Sequence, residues 1–133
     1  MNEVIIDATN ATLGRLASYV AKQALLGKKM VIVNCDSVVI VGNSRSIIKE
    51  YQFMRKLGGS SLAGPFFPKH PERIVKRTIR GMLSHRQMRG KDALRRVMCY
   101  NDTPEEYKDS KKILAGKEKK RKTIKLKDLS KEI

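Results

Sequence analysis

The chain opens with Val4, Ile5 and Ile6, a short apolar run halted at Asp7 that predicts a strand. Thr9, Asn10 and Thr12 come next as candidate helix caps. Leu13, Leu16, Ala17, Val20, Ala21, Ala24 and Leu25 then recur at i, i+3, i+4 spacing up to Gly27, which predicts an amphipathic helix stopped by glycine. Met30 to Asn34 is β-rich and apolar on both faces, as a central strand of a parallel sheet would be. A tight connection at Cys35 to Ser37 leads to Val38–Val41, read as a further strand of the same kind and halted by Gly42-Asn43. A helix from Ser44 to Lys56 is expected to turn Ile47, Ile48, Tyr51 and Met54 inward.

The pattern breaks at Leu57. The stretch to Pro71 holds three prolines, two serines and four Gly or Ala residues, with Phe66 and Phe67 between Pro65 and Pro68, and predicts a long ordered loop over 57–71. The flanking prolines favour that aromatic pair as a hydrophobic anchor for its own loop over a base-stacking role. A helix from Pro71 to Leu83 follows, then a shorter one over Lys91–Arg96 and a last strand over Val97–Tyr100. Thr103-Pro104-Glu105-Glu106 has cap, proline and glutamate in the order of a helix start, and predicts a helix to Ala115 ended by Gly116. Strands alternating with helices in this order argue for a small α/β sheet covered by helices.

Charge changes the picture more than composition does. The 133 residues carry a formal net charge of +16, unevenly spread: residues 1–44 are near neutral at +1, 45–96 hold +11, 97–107 hold −3 and 108–133 hold +7. On the helix from Pro71, Arg73, Lys76, Arg77 and Arg80 fall within an arc of about 100°, opposite Ile74, Val75, Ile79, Met82 and Leu83. Like charges in a row repel unless an anion lies against them, and phosphate backbone is the commonest polyanion. Before Tyr107, Arg outnumbers Lys, and its planar fork suits phosphate and base edges; beyond it, one Arg stands against ten Lys, which suggests looser neutralisation. Lys117 to Lys127 has seven cations and few apolar positions, so residues 117–133 are expected to be disordered without RNA.

Other chemistry has little support. The glycine-rich loops of dinucleotide and P-loop sites are absent, since Asp7 to Gly14 contains a single glycine and Gly42-Asn43-Ser44-Arg45 lacks the rest. No serine sits in a G-x-S-x-G elbow, His85 lies among cations, and Glu50, Glu72 and Asp92 are too scattered to hold catalytic metals. Cys35 and Cys99 lie in apolar runs without C-x-x-C spacing, and read as buried reduced thiols of a cytosolic protein. No apolar run reaches the roughly 20 residues of a membrane span, and no cleavable leader is expected.

Several segments carry a family resemblance. Ile6-Asp7-Ala8 followed by Thr12-Leu13-Gly14-Arg15-Leu16-Ala17-Ser18, then Val31 to Asn43, resembles the universal ribosomal protein thirteen family of the large subunit. The most specific stretch is Pro71-Glu72-Arg73-Ile74, with Arg80-Gly81-Met82-Leu83, Arg89-Gly90, Ala93-Leu94 and Arg96-Val97. Residues 21–29 and Ser84-His85 resemble the archaeal and eukaryotic branch, while 101–133 match no motif. The resemblance implies a three-layer α/β/α fold with a four-stranded, mainly parallel sheet. It also implies a cytoplasmic structural role in the large subunit, bound to its rRNA and to neighbouring ribosomal proteins, with no catalysis, cofactor, membrane or small-molecule substrate.

The expected organisation is an RNA-binding domain over 1–116 and a basic tail over 117–133. The candidate RNA contacts are Arg15, Lys28, Lys29, Arg45, Lys49, Arg55, Lys56, Lys69, Arg73, Lys76, Arg77, Arg80, His85, Arg86, Arg89, Lys91, Arg95 and Arg96. A free-standing RNA-binding or RNA-chaperone domain and a degenerate nucleotide-binding enzyme are the competing readings.

Overall fold

The computed structural model describes residues 3–57, 67–108, 112–114 and 122–133. Among these residues the chain is a mixed α/β fold, with a parallel sheet and five helices. Strand β1 (Glu3–Asp7) runs parallel to β2 (Lys29–Val33) with Ile6 opposite Ile32. β2 in turn runs parallel to β4 (Val97–Cys99), with Met30 opposite Val97. The unbroken apolar reading of β2 follows from its central place. Met30 and Ile32 face the main core, whereas Val31 and Val33 join Ile5 in a second cluster against Tyr100 and Tyr107.

Helix α1 (Leu13–Leu25) lays Leu16, Ala17, Val20, Ala21 and Ala24 on the main core. Gly27, at φ +96°, ends it in a conformation that glycine adopts at little cost. Leu25, expected inside by its spacing, is instead 48% exposed. Helix α2 (Ser44–Lys56) has its expected bounds, capped where Asn43 Oδ1 accepts the Arg45 N–H at 3.0 Å. Ile47 is buried; Ile48 and Tyr51 pack half-buried against the core, and Met54 is half-buried.

Helix α3 (Pro71–Met82) starts with Pro71 at its first turn, and the Asn101 side chain accepts the Glu72 N–H at 3.2 Å. Ile74, Val75 and Ile79 are buried as expected, but Met82 is 45% exposed and only Leu83 turns in. Helix α4 (Met88–Arg95) begins three residues before the expected Lys91. Its first turn contains Gly90, a poor helix former that hid the true start. The structure supplies the reason for a glycine there. A Cβ on Gly90 would lie within 1.9 Å of the Ser84 carbonyl oxygen, which is backbone and cannot swing aside. Gly90→Ala is therefore expected to cost about 3 kcal/mol, by displacing the turn at Ser84-His85. A urea titration measures this; a loss below about 0.5 kcal/mol would show that the turn yields freely.

Three expectations are corrected. Strand β3 (Val39–Val41) does not extend the parallel sheet; it pairs antiparallel with β6 (Thr123–Lys125), Ile40 opposite Ile124. The cause lies just upstream, where Asn34 takes a left-handed conformation at φ +60° and a 3-10 turn over Cys35–Ser37 redirects the chain. Second, the helix expected over Thr103–Ala115 is a single 3-10 turn at Glu105–Tyr107, and Lys112–Leu114 forms strand β5, parallel to β1. The Thr103 hydroxyl, read as a cap, donates instead to Asn34 Oδ1 at 3.2 Å. Val97–Cys99 is accordingly not the last strand.

Third, the end of the chain is folded. Helix α5 (Leu126–Glu132) follows β6, and Ile124, Leu126 and Leu129 are buried in the main core. Gln52 Nε2 donates to the Glu132 backbone oxygen at 2.8 Å and Arg55 Nη1 to that of Ile133 at 2.9 Å, tying α5 to α2. Disorder over 117–133 is thus excluded for residues 122–133, while 117–121 lie outside the described residues. So does 58–66 of the expected 57–71 loop, Phe66 included.

Candidate nucleic-acid interface

The basic stripe of α3 divides in two. Arg73 and Arg80 project into solvent, but Lys76 and Arg77 are half-buried. Lys76 Nζ donates to the Val97 carbonyl at 3.0 Å and so pins α3 to β4. The Arg77 guanidinium lies over the Phe67 ring, 5.1 Å from its centroid, while Tyr51 meets that ring edge-on at 5.1 Å. Phe67 therefore serves as an anchor of the chain entering α3.

Other cations are likewise engaged within the protein. Arg96 Nη1 donates to the Ala24 carbonyl at 2.9 Å, a second bond to an oxygen that also accepts the Gly27 N–H at 3.1 Å, and so ties α4 to the end of α1. Lys29 pairs with Glu3 at 3.3 Å. The hydrogen bond and charge of Glu3 hold its ammonium above the ordinary lysine range, so Lys29 stays charged at neutral pH. Arg95 approaches Asp92 at 3.8 Å, a long, solvent-screened contact worth little. Arg55 holds Ile133, as above.

The remaining candidates are open to a partner. Arg15 on α1, Arg45, Lys49 and Lys56 on α2, Lys69 before α3, and Arg86, Arg89 and Lys91 at the start of α4 are exposed. Lys28 and His85 are half-buried, and His85 Nδ1 is a buried nitrogen with no protein partner. Since α1 packs against both α3 and α4, the exposed cations of these three helices share one body, whereas those of α2 stand apart at the α5 side. The apolar residues Leu25 and Met82 lie exposed beside Arg89 of α4. Sequence reading missed them because their spacing or context placed them inside.

In open α/β sheets ligands enter the crevice at the carboxyl ends of the strands. Here side chains at those ends hydrogen-bond to one another. Asp7 Oδ1 accepts from the Thr9 N–H at 3.1 Å, the Thr9 hydroxyl at 2.6 Å and Asn34 Nδ2 at 3.0 Å. Cys35 is buried near Cys99, and both are free; the Cys99 hydrogen bond, then burial, push the Cys35 thiol far above the usual range, so it stays protonated. No helix among the described residues is long and apolar enough to cross a membrane.

A filled α/β core under a cationic surface defines a scaffold protein for a polyanion. The model of the family described as ribosomal protein L13 matches residues 1–106. The chain is 48% identical over 110 residues to large ribosomal subunit protein uL13 of Methanosarcina barkeri, covering 82% of this chain and 78% of that one. It is 43% identical over 132 residues to the uL13 of Methanocaldococcus jannaschii (97% and 96%), and 40% over 114 residues to that of Haloarcula marismortui (86% and 76%). The chain belongs to the ribosomal protein L13 family, in its archaeal type, a family of structural rather than enzymatic proteins.

Proposed function

We propose that the protein is a structural constituent of the large ribosomal subunit, working in the cytoplasm, where it binds large-subunit rRNA and supports subunit assembly. The observation that carries this reading is the set of exposed cations on α3 and α4, in a segment of net charge +11. Arg73, Arg80, Arg86, Arg89, Lys91 and Arg95 supply the principal phosphate contacts, and Arg15, Lys28, Arg45, Lys49, Lys56 and Lys69 extend them. Lys29, Arg55, Lys76, Arg77 and Arg96 act first by holding the scaffold and touch RNA only with what donors remain, while the half-buried His85 offers RNA a ring nitrogen that has no protein partner. Neighbouring large-subunit proteins are its other partners.

The RNA-binding body is residues 1–116, with 122–133 closing its core. Its sheet is read as four-stranded, supported by the pairing of Lys112–Leu114 with β1, and layered, supported by Tyr100 and Tyr107 over the face opposite α1. The test is sedimentation of the purified protein with large subunits at high salt. Comigration is expected; free protein at the top of the gradient, with RNA binding retained, would favour a free-standing RNA-binding domain.

A further inference from the structure

Where α1 ends against α3 and α4, a groove of about 500 Å³ is lined by Leu25, Met82, Ser84, Arg89, Asp92 and Arg96. Two of its walls are unexpected. Leu25 and Met82 belong by spacing to buried helix faces, yet both stand nearly half exposed and border this groove. Asp92 is the third peculiarity, one of three acids among residues 45–96 and the single carboxylate among the described residues that line the groove. Its ion pair with exposed Arg95 is long at 3.8 Å, so its oxygens keep acceptor capacity. Arg96 is fixed in place through its bond to the Ala24 carbonyl.

We propose that this groove receives one unpaired guanine of an RNA strand, with Asp92 reading its Watson–Crick edge. This deepens the RNA-binding reading above and rests on it. Sequence-specific RNA recognition targets splayed-out bases, held between flat or apolar side chains and hydrogen-bonded along an edge. Leu25 and Met82 offer the apolar contact, and the Met82 thioether suits a π face. A carboxylate is an acceptor-only group with two oxygens. Guanine alone presents two adjacent donors, N1–H and N2–H, on that edge; adenine and cytosine bring one amino group beside a ring acceptor, and uracil one imide N–H between two carbonyls. Arg89 at the rim meets the phosphate that accompanies the base.

The test uses the full chain with labelled Leu and Met methyl groups, titrated by NMR with the RNA pentamers UUGUU, UUAUU, UUCUU and UUUUU at one salt concentration. UUGUU is expected to shift the Leu25 and Met82 methyl signals and to bind about tenfold tighter than the other three. Asp92→Asn should level the four affinities, because the amide presents a donor to a donor edge. The exposed position of Asp92–Arg95 predicts an unchanged melting temperature for this variant. Equal binding of the four pentamers, shifts that bypass Leu25 and Met82, or a guanine preference that survives Asp92→Asn would each overturn the inference. So would displacement of those methyl signals by another large-subunit protein and not by RNA. Retention of salt-dependent rRNA binding in those cases leaves the ribosomal reading standing, whereas a wild-type chain that binds no RNA defeats both.

Discussion

Replacing Leu126 and Leu129 together with alanine is expected to remove on the order of 5 kcal/mol of folding stability, and roughly 15 °C of melting temperature. Both side chains are fully buried, on successive turns of α5, against the same core that α1 and α3 face. A buried Leu→Ala change costs about 2–5 kcal/mol through lost transfer energy and the cavity left behind. Two such changes three residues apart share part of that cavity, so their sum falls short of additivity. A domain of this size has only about 5–15 kcal/mol in all, so the double variant should be close to unfolding at 37 °C. Replacing exposed Lys127 and Lys131 with Gln is the control, and should leave the melting temperature unchanged. If the leucine pair costs less than about 1 kcal/mol, the end of the chain does not close the core.

The second large effect concerns binding. Exchange of Arg73, Arg80, Arg86 and Arg89 for Gln should lower the slope of log affinity against log salt by about three to four units, as four phosphate contacts are lost. At moderate salt that amounts to a weakening by orders of magnitude. All four side chains are exposed, so melting temperature should hardly move. The contrast with Lys76 and Arg96 is informative. These donate to the Val97 and Ala24 carbonyls, so Lys76→Gln and Arg96→Gln should lower stability by about 1–2 kcal/mol each, with little change in salt slope. An unchanged slope in the quadruple variant would reduce the α3–α4 cations to solvated surface.

Much of the architecture is legible along the chain because the signals that carry it are local. Apolar positions at helical spacing between a cap and a stop give α1 and α2 their bounds, and a run without polar positions marks β2 as a central strand. The buried side of α3 is legible for the same reason, with Met82 at its frayed end as the exception. Short motifs such as Arg80-Gly81-Met82-Leu83 and Arg89-Gly90 pointed to the family that the comparisons establish. Why Gly90 must be glycine was not legible, since the atom it avoids belongs to Ser84 in the turn that α4 folds back upon.

Net charge, its concentration between residues 45 and 96, the class of partner it calls for, and the main helices and central strands were determined by the sequence by itself. Each depends on residue identity or on spacing within one element. Partner choice in the sheets was decided by tertiary structure alone: Val39–Val41 meets Thr123–Lys125, and Lys112–Leu114 meets β1. Three-residue strands have too little periodicity to announce themselves, and their hydrogen bonds are made to backbone more than eighty residues away. The same holds for the cations. Sequence places Lys76 and Arg73 in one stripe, but only the packed fold brings a main-chain carbonyl within 3.0 Å of one and leaves the other to solvent.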